Sequence, residues 1–557
     1  MKKRIMTAGM LAMILAMGMT ACANADTKEK STTKKEQVSE SDEKKEQKMS
    51  DNEANVMNEK QKKIYEKIKK TYNAEEQQKI ADELEKKKES QEYTLSNMLI
   101  EYNPFGTNTQ SLYVYFETDS AVKVSYTIHV KEDDIADFSR NVYQDEEYQK
   151  EHEFQVIGLI QDTENTITFY ITNEDGSTDT KEIVYEMGSL YGEEAVQLDT
   201  DVKQSADKLE DGLYVVLGND SPSMDFMYYY DNNGVLRGEV PLLGYRSHRL
   251  IFDENSMYYS ISEKKMAQVN RLGQVTKVYD LGNYKLHHDY VFDENGNMFI
   301  LATDTTQDSV EDIVLKLDVN SGEVTEVLDL GDLFGEYKKT CVKNSSDELD
   351  WMHINTIQYI GNGSVLLSSR ETSTIIKVDN IYDGPVVSYI IGEKDFWKDT
   401  SYVSLLLNKK GDFTIQGGQH TITYETDESL ADGQYYLYMF DNNIGISETR
   451  PDYDWSSIGL KVSSAVDGKN SKYYKYLVDE NEGTFELVDS FKVPYSGYVS
   501  SAQETGDNVL VDSGLKGTFT EYDADHKAIV TYKMYYEKFI YRVFKYKFDG
   551  FYFEKSE

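Results

Sequence analysis

Between about residues 93 and 195, apolar and polar residues alternate over short segments separated by turn residues. These segments read SLYVYFETD, AVKVSYTIHV, HEFQVIGLI and NTITFYITNEDG. Alternation with a period of two places the apolar side chains on one face of a strand, because successive side chains point to opposite faces. The pattern predicts a small antiparallel β-sandwich over residues 93–195, within a chain that is all-β.

A longer pattern repeats from residue 196 to residue 557. One part of each repeat is a strand, a tight polar turn and a second strand, as in FMYYYDNNGVLRGEV and VLKLDVNSGEVTEVLDLG. The part before it has the same form, as in HHDYVFDENGNMFILA and SLLLNKKGDFTIQGG. Together they make four-stranded units about 40 to 60 residues apart, which is the period of propeller blades. We therefore predict a six-bladed β-propeller over residues 196–557.

Residues 22–92 are dominated by Lys, Glu, Asp, Ser, Thr and Gln. This composition buries too little apolar surface to offset the entropy that is lost when a chain becomes ordered. Ile64, Ile68, Tyr72, Ile80 and Leu84 nevertheless recur with helical spacing. The segment is predicted to be a solvated, charged tether that is disordered or partly helical.

The first 21 residues have the order of an export signal. Three basic residues precede an apolar run from Ile5 to Met19, which is shorter than the ~20 residues that a transmembrane helix needs. Cys22 directly follows Ala21, as in a bacterial lipoprotein signal where the cysteine is acylated. We expect residues 1–21 to be a signal peptide, and the protein to be exported and lipid-anchored through Cys22 to the outer face of the bacterial cytoplasmic membrane.

The formal net charge is −40, and it becomes −43 once the three basic residues of the signal are removed. A surface this acidic repels nucleic acid and anionic lipid. We expect no nucleic-acid partner and membrane contact through the lipid anchor alone; the oligomeric state, a homo-oligomer included, stays open. An anionic substrate would need local cations. With Cys22 acylated, Cys341 has no partner for an intramolecular disulfide.

The chain has eight histidines, and several lie at comparable points of the repeat. His248, His288 and His353 fall in register, a few residues before the turn that follows the first strand of their units. Equivalent positions of successive blades converge on a propeller axis. Arg370 ends the second strand of the His353 unit, and His420 ends the second strand of the next unit. Imidazoles gathered beside one arginine predict an active site that handles an anion.

Five motifs occur in a fixed order from residue 103 onwards: NPFGTNTQSLYVYF, HHDYVFDENGN, DWMHIN followed by LLSSR, GGQH, and YVSSAQETGDNVLVDSG. In order and spacing, this set resembles that of the bacterial arylsulfate sulfotransferases, which use no nucleotide sulfate donor. The resemblance covers about residue 93 to the C-terminus. It implies a six-bladed propeller with an N-terminal sandwich, and transfer of a sulfuryl group from a phenolic sulfate ester to a phenol. It implies neither a metal nor any other cofactor.

The resemblance also implies roles for individual residues. GGQH makes His420 the nucleophile that becomes a sulfohistidine in a ping-pong reaction. DWMHIN and SSR make His353 and Arg370 ligands of the sulfuryl oxygens, and HHD makes His288 the residue that completes the catalytic set. Two substrate-binding residues are expected beside them: His287 and Asn355.

Elementary chemistry agrees with these roles. Sulfuryl transfer passes through a planar, electron-poor group, so it needs a nucleophile in line with the leaving group and fixed donors around three oxygens. Neutral imidazole, with an ordinary pKa of about 6.5, offers a free lone pair near pH 7. A guanidinium offers a permanent charge and a planar set of donors.

Two other functions fit the same residues. Axial histidines could bind a divalent metal and make the chain a lyase or hydrolase, because imidazole is a common metal ligand, although Arg370 argues against a bound cation. The chain could also be a noncatalytic surface propeller that binds ligands with its tyrosine-rich loops. His248 has no role in the resemblance, and the natural donor and acceptor are not specified by the sequence.

Overall fold

The computed structural model describes residues 57–201, 204–219, 224–536 and 538–555. The predicted signal peptide, the lipidation site Cys22 and the first part of the predicted tether lie outside these residues. Most ordered elements are strands, as predicted for an all-β chain. Within the described ranges, no helix is both long and apolar enough to cross a bilayer.

From residue 57 onwards, two helices precede the first strand. Helix α1 (Glu59–Thr71) begins at a capping box, in which the side chain of Asn58 accepts hydrogen bonds from Lys60 N and Gln61 N. Helix α2 (Ala74–Ser90) begins at Asn73, whose side chain accepts from Glu76 N. Asparagine satisfies backbone donors that the first turn of a helix leaves without partners, so both starts are encoded locally.

The two helices are packed against the rest of the chain. Ile68 and Gln77 are fully buried. The Tyr72 hydroxyl donates to Pro241 O at 2.7 Å. The side-chain nitrogen of Gln77 donates to Phe105 O at 2.9 Å, and its oxygen accepts from Val275 N at 2.9 Å. Residues 59–90 therefore differ from the solvated tether that their composition predicted, because their few apolar side chains lie on one face and are covered by the folded body.

The N-terminal domain is a six-stranded antiparallel sheet built around one long strand, β2, which pairs with four others. The first half of β2 pairs with β1 and β4, and its second half pairs with β3 and β5. Strand β5 also pairs with β6. The strands are β1 (Leu99–Tyr102), β2 (Ser111–His129), β3 (Phe138–Asn141), β4 (Gln149–Ile157), β5 (Glu164–Asn173) and β6 (Thr178–Glu186).

Six further sheets follow, which we number 1 to 6 along the chain. Sheet 1 contains β8 (Leu213–Val216), β9 (Phe226–Tyr230), β10 (Leu236–Pro241) and the last strand, β32 (Val543–Tyr546). Sheet 2 contains β11 (Ile251–Asp253), β12 (Ser256–Ser262), β13 (Lys265–Asn270) and β14 (Val275–Asp280). Sheet 3 contains β15 (Tyr284–Phe292), β16 (Asn297–Asp304), β17 (Ile313–Asp318) and β18 (Val324–Asp329).

The remaining sheets have four or five strands. Sheet 4 contains β19 (Ile354–Gly361), β20 (Ser364–Ser369), β21 (Thr374–Asp379) and β22 (Val386–Ile391). Sheet 5 contains β23 (Asn408–Lys410), β24 (His420–Glu425), β25 (Gln434–Asp441), β26 (Ser471–Asp479) and β27 (Thr484–Val493). Sheet 6 contains β7 (Asp199–Asp201), β28 (Ser501–Thr505), β29 (Asn508–Ser513), β30 (Thr518–Tyr522) and β31 (Ala528–Lys533). Helices α3 (Leu330–Lys338) and α4 (Lys394–Trp397) lie in connecting segments.

Sheets 3 to 6 and sheet 1 contact their neighbours through their innermost strands. From sheet 3 onwards, the first strands β15, β19, β24 and β28 contact one another in succession, and β28 also contacts β32 of sheet 1. Two pairings close the ring of sheets. Strand β32, from the end of the propeller segment, pairs with β8 of sheet 1, and β7, from its beginning, pairs with β31 of sheet 6. This is propeller architecture, with sheets joined through their inner strands and no open break between the last sheet and the first.

Removing buried side-chain volume from α1 tests whether this helix is part of the folded body. We expect Ile68→Ala to lower the free energy of unfolding by about 2 to 5 kcal/mol, because a fully buried isoleucine would leave a cavity. Lys62→Ala, on the exposed face of the same helix, should change it by less than about 0.5 kcal/mol. Urea unfolding followed by circular dichroism measures both. Equal midpoints for the two variants would show that α1 is not packed.

Candidate active site

Three sheets bring their histidines to one point. The ring of His288 lies with its centroid 4.8 Å from that of His353 and 6.4 Å from that of His420. His353 immediately precedes β19, and His420 is the first residue of β24. His288 lies in β15, where the pairing with β16 is interrupted between Leu286 and Tyr290. All three therefore come from the inner strands of successive sheets.

The position predicted for His420 within its sheet was wrong, although the residue does join the cluster. The sequence pattern placed it at the end of a second strand, after NKKGDF. In the structure, Asn408–Lys410 is instead an outer strand that runs parallel to β27. Sheet 5 has its inner strand at His420–Glu425. The misplacement arose because a polar strand–turn pattern has the same appearance at either edge of a sheet.

Strained backbone positions mark the cluster. His288 has φ 53°, His353 has φ 47° and Glu311 has φ 57°. The left-handed region costs a residue with a side chain about 1 to 3 kcal/mol, so it persists only where surrounding structure enforces it. His353 lies directly before an inner strand, and His288 lies within one, where its pairing is interrupted. The enforced conformation sets the direction in which each imidazole leaves the backbone.

His420 is held in one tautomer by Asn442. The side-chain nitrogen of Asn442 donates to Ser496 O at 2.8 Å and Val499 O at 3.2 Å. Its oxygen therefore faces His420 Nδ1, 2.7 Å away, and can only accept. The hydrogen must be on Nδ1, which leaves the lone pair on Nε2. Burial lowers the pKa of His420 well below its ordinary value, so the ring is neutral.

His353 is the charged member of the cluster. Its Nδ1 lies 2.6 Å from Asp350 Oδ2 and 2.9 Å from Glu311 Oε2. Burial opposes the charge, but the two carboxylates outweigh it and raise the pKa of His353 to about 10. Burial likewise opposes the charge on Glu311, yet His353 lowers its pKa to about 2. Burial raises the pKa of Asp350, so Glu311 is the more firmly ionised partner.

His287 and His288 form a second pair. Their Nδ1 atoms are 3.0 Å apart, so one donates to the other. Burial lowers the pKa of both residues, that of His288 well below its ordinary range, and neighbouring His353 adds to the effect at His288. Both rings are therefore neutral. His287 contacts the cluster through His288, and its predicted contact with substrate stays a prediction.

Arg370 adds a permanent cation at the end of β20. Its backbone nitrogen donates to His353 O at 3.2 Å, which fixes the arginine beside that residue. One guanidinium nitrogen lies 3.3 Å from Glu371 Oε1, and the side chain is 15% exposed.

The side chains of His353, Glu311 and Asp350 are 18%, 21% and 16% exposed, whereas His420 is 2% exposed. Solvent therefore reaches the site from the side of Arg370 and of the two carboxylates that contact His353.

Asn355 connects two of the strands that carry histidines. It is fully buried, and its side-chain nitrogen donates to Gln419 O at 2.7 Å. Its own carbonyl accepts from Arg542 Nη2 at 2.7 Å. Asn355 thus fixes the residue next to His420, and its amide nitrogen already has a protein partner. Its predicted contact with substrate stays a prediction.

Four residues that shape the site were not named from the sequence. Asp350 lies within DWMHIN, so its position three residues before His353 was an available signal. Arg542 immediately precedes inner strand β32, and aligning the last strand with the other inner strands would have found it. Glu311 and Asn442 lie in loops with no recognisable pattern, so only folding brings them to the histidines.

His248 lies apart from the cluster, among aromatic rings. It is fully buried, and its ring centroid is 5.6 Å from that of Tyr245 and 5.3 Å from that of Tyr541. Within the described parts of the chain, neither ring nitrogen has a hydrogen-bond partner. Burial lowers the pKa of His248 well below its ordinary value. A packed, neutral imidazole is the role that these contacts support.

Two overlapping triplets have ligand atoms within 4.8 Å of one another, the spacing of a metal site: His287, His288 and Glu311, and Glu311, Asp350 and His353. Two ligands at right angles on one zinc ion, each about 2.1 Å from it, would be about 3.0 Å apart. The 2.6 Å between His353 and Asp350 is shorter and fits a direct charged hydrogen bond. The second triplet is therefore better explained as an ion pair that already uses Glu311.

Most of the chain matches known family models. Residues 198–542 match the family described as Arylsulfotransferase (ASST), and residues 99–188 match the one described as Arylsulfotransferase Ig-like domain. The second match agrees with the predicted N-terminal sandwich. No curated protein matches the chain.

Two of the solved structures that are similar to the chain have low identity and low TM-scores. An auxiliary nutrient binding protein from Bacteroides thetaiotaomicron is 9% identical, covers 80% of this chain and 99% of its own, and has a TM-score of 0.29. A protein of unknown function from Bacteroides caccae is 10% identical, covers 60% of this chain and 98% of its own, and has a TM-score of 0.34.

The charge on His353 can be measured directly. Because its folded pKa of about 10 lies above the ordinary value of about 6.5, the ion pair stabilises the fold fully below pH ~6.5, and this contribution is lost as the pH rises through 10. We expect Asp350→Asn to lower the pKa of His353 by about 1 to 3, because one opposite charge is removed. Nitrogen-15 NMR of labelled histidines follows this. Asp489→Asn, which removes the carboxylate beside His526, is the matched control and should leave His353 unchanged; a pKa of His353 that does not move in Asp350→Asn contradicts the assignment.

Proposed function

The chain belongs to the arylsulfotransferase family and is an enzyme that transfers sulfuryl groups; from this premise we propose that it moves the group from a phenolic sulfate ester to a phenol through a sulfohistidine at His420. One observation carries the proposal. Asn442 fixes the hydrogen of His420 on Nδ1, so a neutral imidazole has its Nε2 lone pair available beside the cations His353 and Arg370. A neutral nucleophile next to two cations suits attack on an anionic ester.

In the first half-reaction, His420 Nε2 forms a bond to sulfur while the bond between sulfur and the aryl oxygen breaks. The departing oxygen keeps the electron pair and leaves as a phenolate. Arg370 neutralises charge on the sulfuryl oxygens, and its permanent charge is needed in both half-reactions. The sulfuryl group is then held on the imidazole nitrogen, and the phenol product leaves.

His353 is the acid in this half-reaction. Its Nδ1 is occupied by the two carboxylates, so Nε2–H is the nitrogen that can donate to the phenolate. The pKa of His353, about 10, is close to the ~10 of an unsubstituted phenol. A proton moves with little free-energy cost between groups of matched pKa, which is the condition for efficient acid catalysis.

The second half-reaction reverses the first with a new phenol. His353, now neutral, takes the proton of the acceptor, whose oxygen attacks sulfur. The bond between sulfur and His420 Nε2 breaks, the electron pair returns to the imidazole, and His353 is again charged. The ion pair with Glu311 and Asp350 is therefore restored at the end of each turnover. His288, neutral and in contact with both His353 and His420, is proposed to donate to a sulfuryl oxygen.

Export and lipid attachment at Cys22 stay predictions, because they concern residues outside the described ranges. They would place the enzyme outside the cytoplasm, and the proposed reaction could take place there because its sulfuryl donor is a phenolic ester and not a nucleotide. Natural donors and acceptors are likewise left to experiment.

Incubation with 4-nitrophenyl sulfate and phenol in the presence of a chelator tests the proposal. We expect nitrophenol release that depends on phenol, and a loss of about 1,000-fold or more in kcat for His420→Asn, because the nucleophile is removed. His526→Asn is the matched control, since this histidine stacks on Phe491 away from the cluster and should change the rate little. Full activity of His420→Asn would contradict the nucleophile, and loss of wild-type activity on chelation would favour the metal-dependent alternative.

A further inference from the structure

An anion-binding site would be expected to exclude carboxylates, yet this one contains a firmly ionised glutamate. Glu311 Oε2 lies 2.9 Å from His353 Nδ1 and 3.6 Å from His288 Nδ1. Asp350 Oδ2 lies 2.6 Å from the same nitrogen of His353. The positive charge of His353 is thus offset by a negative charge within the same few ångströms. Holding an imidazole in place does not require an ionised partner, because a carbonyl would serve.

The offset of the His353 charge by Glu311 affects sulfate esters and phosphate monoesters differently. A sulfate ester carries one negative charge at all ordinary pH values. A phosphate monoester has nearly the same shape but loses a second proton with a pKa of about 6, so it carries close to two charges at neutral pH. In a partly buried site, each extra charge must be balanced locally, because the acidic surface and the low dielectric do not screen it.

We propose that Glu311, supported by Asp350, makes this site select singly charged sulfate esters over doubly charged phosphate monoesters of the same shape. This inference rests on the proposed function, because it concerns the same site. Glu311 is a positioning residue in this account: it acts through His353, whose charge it keeps and offsets, and through the field it adds at the ligand.

The position of Glu311 supports the selectivity. Its side chain is 21% exposed, on the side from which solvent reaches the site, so its field is felt by a ligand that enters there. The charged and titratable groups around Glu311 are His353, His288, His287, Asp350, Arg370, Tyr245 and Tyr541. Of these, His353 and Arg370 are the cations. Arg542, a further cation near His288 and His420, is paired with Asp289. One ester charge can be balanced by Arg370, but a second would meet a histidine whose charge Glu311 already offsets.

Equilibrium binding is measured in His420→Asn, which lacks the proposed nucleophile, so that selection of ligands by their charge is separated from turnover. The dissociation constants of phenyl sulfate and phenyl phosphate would be measured by calorimetry at pH 8 with His420→Asn and with His420→Asn/Glu311→Gln. We expect the ratio of the two constants to shift toward phosphate by about tenfold or more in the double variant, because one negative charge is removed while Asp350 keeps the proton on His353, and the change acts on twice the ligand charge. At pH 5, where phenyl phosphate is mostly singly charged, the shift should shrink to about twofold or less.

His420→Asn/Asp350→Asn provides a second carboxylate variant if the first fails to fold, and should shift the ratio in the same direction. His420→Asn/Asp489→Asn is the matched control, because it removes a carboxylate beside a histidine outside the site. A ratio unchanged within twofold at pH 8 in both carboxylate variants, or a shift toward sulfate, would overturn the inference while the wild-type enzyme still turns over 4-nitrophenyl sulfate. Absence of that turnover in the wild type would instead overturn the proposed function.

Discussion

One charged imidazole among neutral ones is the constraint on which the site depends. The ring of His288 lies with its centroid 4.8 Å from that of His353 and 6.4 Å from that of His420, and burial by itself would make all three neutral. Two carboxylates at one nitrogen keep the proton on His353. The side-chain oxygen of Asn442 keeps the hydrogen of His420 on Nδ1 and therefore its lone pair on Nε2. Exchanging these partners would leave a charged group in the place of the nucleophile and a neutral group in the place of the acid.

The fold supplies this arrangement because inner strands of successive sheets begin at the same end of the propeller. Left-handed backbone at His288, His353 and Glu311 directs their side chains inward at a cost that the surrounding sheets must offset. Closure through β32 and β7 prevents the sheets from separating. The three tryptophans of the chain, Trp351, Trp397 and Trp455, pack in one aromatic cluster. Trp351 donates to Asp312 at 2.7 Å, which anchors the segment that carries Asp350 and His353.

Local patterns predicted the strand-rich class and the sandwich, because strand alternation and turn residues occur in contiguous sequence. The register of the repeat predicted that His288 and His353 converge, whereas His420 was assigned from the resemblance carried by GGQH. Glu311 could not be predicted, since it reaches His353 only through a loop between two strands of another sheet. The helical spacing within residues 59–90 corresponds to two observed helices, but the solvated character predicted for this segment was wrong, because spacing shows which face of a helix is apolar and not that a distant surface covers it. The strand of His420 was misplaced because an outer parallel strand has no distinctive pattern.

The most direct measurement is rapid mixing of the enzyme with excess 4-nitrophenyl sulfate in the absence of any phenol, followed by peptide mapping under conditions that preserve nitrogen-bound sulfuryl groups. The account predicts a fast release of nitrophenol equal to about one molecule per active site, with the sulfuryl group found on the peptide that contains His420. The absence of a fast release of nitrophenol, or a sulfuryl group found on His353 or His288 in place of His420, would contradict the proposed mechanism.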